Sequence, residues 1–314
     1  MLRYLGKQAA TLVILLFVAS VLIFALVYLA PGDPLSSLLG NRTPDPQRVA
    51  QLRAQYHLDQ PFLERYWLWL GNALQGDFGT SISAQTGVSG LLRSAAPVTL
   101  WLIVYSQLLV IIIGTTAAAV AARFKGVPDA IVALGTTVGA TIPTFVTAVL
   151  LSTVFTVHFR IFPATGAGSG FVDRLWHLTL PAIALAIVSS AMLARIGRAA
   201  MREEMESPHT LTETARGVPY GRVFRRHVLR NAAPPMLAVV GLQIPAMIAG
   251  SVIVEQAFGL SGLGSLLLNG ANAHDYPVVQ TIALLIVLVT VITAVVVDIL
   301  QGMLDPRVKI GARS

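Results

Sequence analysis

Two short motifs suggest nucleophilic chemistry. Gly87-Val88-Ser89-Gly90 and Gly259-Leu260-Ser261-Gly262 both match the G-x-S-G pattern of intramembrane serine proteases. That chemistry requires a histidine beside the serine to remove its proton. We place both serines in loops. Every histidine in the chain lies in a loop or at the end of an apolar run, namely His57, His158, His177, His209, His227 and His274. Glycines in such places ordinarily mark turns. An intramembrane protease therefore remains only an alternative.

Other chemistries lack the residues that they need. The chain has no cysteine, which excludes disulfides, thiolate nucleophiles and cysteine-ligated metals. None of its three lysines follows the glycine-rich frame of a P-loop, so we expect no ATP site in this chain. No cluster of histidines and carboxylates has the spacing of a metal site within the apolar runs. We therefore expect neither a catalytic residue, a metal nor a cofactor on this chain.

The composition indicates a membrane protein that crosses the bilayer several times. Of 314 residues, 55% are hydrophobic and 12% are charged, about half the charged share of a typical soluble domain. Runs long enough to cross the hydrocarbon core occur at about 9–30, 98–121, 130–157, 178–194, 235–256 and 281–303. Within them, Pro143, Pro181 and Pro245 predict kinks. The sequence thus predicts an all-α membrane protein with six spans.

The basic residues set the orientation of the spans. The termini and the loops 122–129 and 195–234 contain 15 of the 22 lysines and arginines, and the three opposite loops contain 7. Because cytoplasmic loops are enriched in these residues, we expect both termini in the cytoplasm. The same distribution places 31–97 outside, where its aromatic residues can anchor an interfacial cap.

The cytoplasmic loop 195–234 holds eight basic residues and is too long for a simple connector. We predict one amphipathic helix from Arg195 to about Thr212 and a second from about Tyr220 to Asn231. Gly217 should end the first helix, since glycine readily takes the left-handed geometry of a helix C-cap. Such a loop can dock on a partner protein or lie on anionic lipid.

Ionisable groups within or beside spans are candidates for function. Glu255 lies at the outer end of the fifth predicted span, and Asp298 lies near the cytoplasmic end of the sixth. Each is either a packing carboxylate or a residue of a gate or pathway. A secondary transporter would need several such groups to couple energy within its own spans. This second alternative predicts transport without ATP.

Several motifs resemble one family in order and position. They are Leu29-Ala30-Pro31-Gly32-Asp33-Pro34, His57-Leu58-Asp59-Gln60-Pro61, Gly76-Asp77-Phe78-Gly79-Thr80-Ser81, Ala194-Arg195 with Arg198, Arg226-His227-Val228-Leu229-Arg230-Asn231, Asp275-Tyr276-Pro277 and Leu304-Asp305-Pro306-Arg307. Nearly the whole chain resembles the B-type permease subunits of bacterial ABC importers for dipeptides, oligopeptides and nickel. The resemblance implies a single permease domain, 1–314, of the type I importer fold.

The resemblance also implies a mechanism and partners. A second permease, two ATPase subunits that carry ATP and Mg, and an extracytoplasmic binding protein would complete an importer in the bacterial cytoplasmic membrane. The loop 195–234 would hold a coupling helix, with docking residues Thr212, Glu213, Ala215, Arg216 and Gly217. Only Gly217 matches the general coupling motif, although Thr212, Ala215 and Arg216 fit its peptide-transporter form.

The outer loops would face the binding protein through Asp33, Asp59, Asp77, Asp275 and Tyr276. We expect the substrate to be a di- or oligopeptide, and nickel is the alternative within the family.

Overall fold

The computed structural model describes residues 2–29, 47, 50 and 59–304. We number its helices in chain order: α1 Leu2–Leu29, α2 Phe62–Leu74, α3 Val88–Arg123, α4 Val127–Thr141, α5 Thr144–Leu151, α6 Gly170–Met205, α7 Pro208–Ala215, α8 Tyr220–Ala257, α9 Leu263–Asn272 and α10 Tyr276–Leu304. Two stretches are π-helical: Ser152–His158 continues α5, and Phe224–Val228 lies within α8. The expected all-α class is confirmed.

Helices α1, α3, α6, α8 and α10 are each long and apolar enough to cross a membrane. The backbone groups of such helices hydrogen-bond to each other, which is necessary because the hydrocarbon core offers them no hydrogen-bond partners. The run predicted at 130–157 instead falls on Val127–Thr141 and Thr144–His158, which are bent by 103° relative to each other. Pro143 precedes the second helix with extended backbone and has no N–H to continue the first. Pro181 and Pro245 lie inside unbroken helices.

The chain packs as two compact units, and its prediction as a single domain stays a prediction. The first comprises Met1–Thr99 with Ser261–Ile292. Its apolar core joins Val88 and Leu92 of α3 to Val278 and Ile282 of α10. The described residues of α2 pack against α1 through Tyr66, which is buried. These contacts pair α3 with α10 and α1 with α2.

In this unit, aromatic contacts hold α2 along α1. Tyr66 shares a hydrogen bond of 2.8 Å with the hydroxyl of Ser20, and its ring centroid lies 5.5 Å from that of Phe24. Phe24 also contacts the ring of Trp69, with a centroid distance of 5.5 Å. Leu63, Trp67 and Leu74 of α2 are exposed, although the ring of Trp67 also lies 6.4 Å from that of Phe17 in α1.

The second unit comprises Leu100–Leu260 with Thr293–Ser314, and α6 is its central helix. In α6, 67% of the most apolar 18-residue stretch is buried, whereas only 11% of the corresponding stretch of α1 is buried. Small residues let neighbours approach closely. A methyl group added at Gly241 of α8 would lie 2.2 Å from Val297 of α10, so the two helices leave no room for a larger residue there.

The helices of the loop 195–234 differ from the predicted boundaries. The prediction of one helix from Arg195 to about Thr212 was wrong, because α6 continues to Met205 and α7 begins at Pro208. Ser207 separates them with extended backbone, as a residue before proline favours. The second helix begins at Tyr220 as predicted, but it continues to Ala257 instead of ending near Asn231.

Packing explains why α8 continues past Pro234 and Pro235. Ala232, Met236 and Val239 are buried, so one face of the helix is held on both sides of the prolines. Tertiary packing of this kind routinely overrides local helix propensity.

Candidate functional site

The candidate docking segment is α7 and the turn that follows it. Ser207 and Pro208 start the helix, and proline suits the first helical position because its missing N–H needs no partner there. At the other end, the N–H of Val218 donates to the carbonyl of Glu213 over 3.2 Å, and the N–H of Gly217 donates to that of Thr214 over 3.0 Å. This pair of bonds is a Schellman motif. Gly217 has φ +79°, so its expected left-handed C-cap geometry is confirmed.

Four of the five predicted docking residues are exposed: Thr212, Ala215, Arg216 and Gly217. Glu213 is half-buried, and its carboxylate lies 3.6 Å from the guanidinium of Arg216. The hydroxyl of Thr212 donates to the carbonyl of Pro208 within the same helix. The apolar side chain of Leu211 is 55% exposed beside them. This surface is available to a partner, and docking on it stays a prediction.

A polar cluster that we did not foresee fixes α7 to its neighbours. It consists of Glu204 at the end of α6, His209 in α7 and Asn231 in α8, and we call it the Glu204 cluster. The Oε1 atom of Glu204 accepts a hydrogen bond of 2.9 Å from the amide of Asn231 and also contacts Nε2 of His209. The side chain of Glu204 is only 17% exposed. Three helices therefore meet at one carboxylate oxygen.

A second polar contact, formed by ion pairs and hydrogen bonds, joins α6 to α4 and to the end of α3. The guanidinium of Arg198 donates to both oxygens of Asp129 at the start of α4, over 2.6 and 2.7 Å. Arg202 lies 2.8 Å from the same carboxylate and donates to the carbonyl of Ala121 at the end of α3. Bidentate arginine pairs have fixed geometry. The sequence motif that contains Arg195 and Arg198 indicated that Arg198 could be functional. Nothing in the sequence indicated that Asp129 is the partner of Arg198.

In the first unit, the segment that follows α2 turns at its glycines and at Asp77. Gly76 and Gly79 have φ of +81° and +76°, a conformation that side chains rarely adopt. One oxygen of Asp77 accepts the N–H of Gly79 over 2.9 Å. Asp77 itself is exposed. The motif therefore builds a tight turn that presents a carboxylate.

The same turn leads to a buried carboxylate on a distant part of the chain. Asp275 directly precedes α10 and is fully buried. Its Oδ2 atom accepts hydrogen bonds from the hydroxyl of Ser81 over 2.5 Å, the hydroxyl of Ser83 over 2.7 Å and the N–H of Ser83 over 2.9 Å. Two of the sequence motifs, 194 residues apart, thus meet in one contact. Asp275 positions the loop in this structure from within the protein.

The other residues predicted to face the binding protein are Asp33, Asp59 and Tyr276. Asp59 is exposed, Tyr276 is half-buried, and Asp33 lies outside the described residues. The structure therefore brings Asp77, Asp275 and Tyr276 to one region of the first unit and leaves Asp59 apart from the contacts described above.

The two candidate pathway carboxylates lie on different helices. Glu255 of α8 is fully buried, and its backbone carbonyl accepts the N–H of Leu260 over 2.8 Å. Asp298 belongs to α10, and its side chain lies outside what the structure describes. A gate or pathway role for either residue stays a prediction.

The protease motifs take part in local structure. Ser89 lies in the first turn of α3 rather than in a loop, and its hydroxyl donates to the carbonyl of Gly76 over 3.2 Å. Within residues 2–29 and 59–304, no group of three histidine or carboxylate side chains is placed to hold a metal ion.

Relatives of known family resemble this chain along almost its whole length. It is 34% identical over 310 residues to the glutathione transport system permease protein GsiC of Escherichia coli K12, which covers 98% of this chain and 99% of that protein. The protein of the same name in Shigella dysenteriae serotype 1 gives the same values.

Solved structures share the fold at low sequence identity. An amino acid ABC transporter crystallised with histidines matches 68% of this chain and 94% of its own, with a TM-score of 0.54 and 19% identity. An inward-facing structure of the MetNI methionine ABC transporter gives a TM-score of 0.54 at 17% identity, over 68% of this chain and 96% of its own. The expected permease fold is confirmed.

Family models account for both parts of the chain. Residues 110–310 match the binding-protein-dependent transport system inner membrane component, and residues 1–103 match the N-terminal model for membrane components of such systems. The chain belongs to the family of inner membrane components of binding-protein-dependent transport systems.

Proposed function

We propose that this chain is one permease subunit of an ATP-driven importer that carries small peptides across the bacterial cytoplasmic membrane. The observation that carries the proposal is its 34% identity to the glutathione permease of Escherichia coli over 98% of the chain. Glutathione is a tripeptide, so the relatives favour a peptide substrate over the nickel alternative.

Energy for transport comes from partner subunits in this proposal. Two ATPase subunits carrying ATP and Mg bind the cytoplasmic side, a second permease completes the pathway, and a binding protein delivers the peptide outside. The exposed surface of α7, from Leu211 to Gly217, is the docking site for an ATPase subunit. Both termini lie in the cytoplasm, as the distribution of basic residues favours.

The geometry around α7 supports its role in coupling. A docking helix transmits movement only if it is attached firmly to the spans behind it. The Glu204 cluster attaches α7 to α6 and α8, and Arg198 attaches α6 to α4 through Asp129. Movement of α7 would therefore reach three spans. Glu255 and Asp298 are candidate pathway residues that this movement would affect.

Reconstitution tests the proposal. The chain, its companion permease, the ATPase subunits and the binding protein are placed in lipid vesicles, and uptake of radiolabelled glutathione and dipeptides is measured. We expect uptake that requires both ATP and the binding protein, and no competition by nickel ions. Uptake that continues without ATP would instead identify a secondary transporter.

A further inference from the structure

The first unit contains a cavity of about 260 Å³. Its walls come from α1, α2, the turn after Gly76 and the first turns of α10. The residues that matter are Phe24, Arg65, Trp69, Asp77, Tyr276 and Gln280. Ligand sites typically combine apolar walls with a few polar groups in this way.

Opposite charges line this cavity. Arg65 contributes a guanidinium, a group that carries a permanent positive charge and five N–H donors. Asp77 contributes a carboxylate with about four acceptor positions, of which the N–H of Gly79 occupies one. A ligand with a single sign of charge would be attracted by one of these two residues and repelled by the other. The lining therefore fits a zwitterion.

Aromatic rings also line the cavity. Phe24 and Trp69 pack with centroids 5.5 Å apart, and both line the cavity with Tyr276. The faces of such rings attract ammonium groups, by about 0.5–2 kcal/mol. Buried Gln280 adds a neutral amide.

The surrounding surface indicates the depth of the cavity in the membrane. Leu63, Trp67 and Leu74 form an exposed apolar stripe on α2, with Trp67 at 58% exposure. An amphipathic helix of this kind lies in the interface, where tryptophan is enriched. Helix α1, which packs against α2, also exposes apolar side chains such as Leu26. The cavity is therefore framed by elements that contact lipid.

We propose that the cavity binds the headgroup of a phospholipid with a primary ammonium, such as phosphatidylethanolamine. The phosphate pairs with Arg65, and the ammonium pairs with Asp77 in a cavity that aromatic rings also line. The acyl chains lie along the exposed apolar residues of α1 and α2. A quaternary ammonium has no N–H to donate, and phosphatidylglycerol has no cation. The site therefore prefers phosphatidylethanolamine to phosphatidylcholine, and either of these to phosphatidylglycerol.

Native mass spectrometry of the purified full-length chain in detergent tests the site, with short-chain forms of the three lipids as probes. We expect Asp77→Asn to weaken binding of the ethanolamine lipid by about five- to tenfold, as loss of one charge-assisted hydrogen bond implies. Asparagine can still accept the N–H of Gly79, so the turn is kept. Glu64→Gln is the matched control, because Glu64 is an exposed carboxylate on α2 that does not line the cavity.

Equal binding of the three lipids, or unchanged binding by Asp77→Asn, would overturn the proposal. Displacement of the lipid by glutathione or a dipeptide would also overturn it and assign the cavity to a peptide. The measurement needs no ATP, ATPase or binding protein, so its failure would leave the proposed transport function intact.

Discussion

Replacing Asp275 tests whether this carboxylate acts from inside the protein or at its surface. The residue is fully buried and accepts three hydrogen bonds, one from Ser81, which is also fully buried, and two from Ser83, which is exposed. A hydrogen bond to a charged group contributes about 1.5–3 kcal/mol, and leaving a buried donor unpaired costs about 1–3 kcal/mol. Water can replace the partner of Ser83 but not readily that of Ser81.

Asp275→Ala should therefore lower the free energy of unfolding by about 2–4 kcal/mol, with most of the loss at Ser81. For a chain of 314 residues that corresponds to a fall in Tm of roughly 3–6 °C. Asp275→Asn keeps an acceptor and loses only its charge, so we expect a smaller fall. The assay is thermal unfolding of the purified chain in detergent. Ser83→Ala, which removes one hydrogen bond from an exposed hydroxyl, should lower Tm less than Asp275→Ala.

A double-mutant cycle between Asp275 and Ser81 completes this test. Because the two side chains share one buried hydrogen bond, the double variant should be less destabilised than the sum of the single variants, by about 1–3 kcal/mol. A wild-type Tm for Asp275→Ala, or strict additivity, would refute the positioning role. Wild-type stability combined with weaker docking of the binding protein would support the surface role that the sequence suggested.

Two further predictions concern the cytoplasmic side. Gly217→Val should uncouple ATP hydrolysis from peptide uptake in the reconstituted importer while the chain still inserts. A β-branched residue at φ +79° costs about 1–3 kcal/mol and distorts the turn, although no atom crowds the position. Gly221→Val is the control, since Gly221 has open space and no left-handed backbone; wild-type uptake by Gly217→Val would count against docking. Glu204→Ala should reduce peptide transported per ATP hydrolysed by about three- to tenfold, because it removes the contacts that hold α7. Glu203→Ala, at an exposed neighbour, should leave this ratio unchanged. An equal effect of both variants would contradict the role of the Glu204 cluster in coupling.

Local features of the sequence were enough to predict much of the fold. Hydropathy located each apolar run because crossing the hydrocarbon core requires about 20 apolar residues in succession. The C-cap geometry of Gly217 was also predictable, since it depends on the backbone preference of one residue. Helix boundaries were less predictable. The break at Ser207 follows a local rule about proline, whereas the continuity of α8 through Pro234 depends on packing on both sides.

The motifs were predictable as residues but not as contacts. The sequence alone identified Asp77, Ser81 and Asp275 as parts of recognisable motifs and assigned the aspartates to an outer surface. The structure buries Asp275 beneath that surface and pairs it with Ser81. Residue type and spacing cannot distinguish a buried carboxylate from an exposed one in a loop, because the difference depends on what packs over it.

The sequence by itself determined the membrane class, the apolar runs, the family resemblance and the turn at Gly217, because each depends on composition or on neighbouring residues. The tertiary structure alone decided that Glu204 meets Asn231 across 27 positions, that Asp129 is the partner of Arg198, and that Arg65 and Asp77 line one cavity. Those contacts arise where helices cross, and the crossing points are set by the packing of side chains that are distant in the chain.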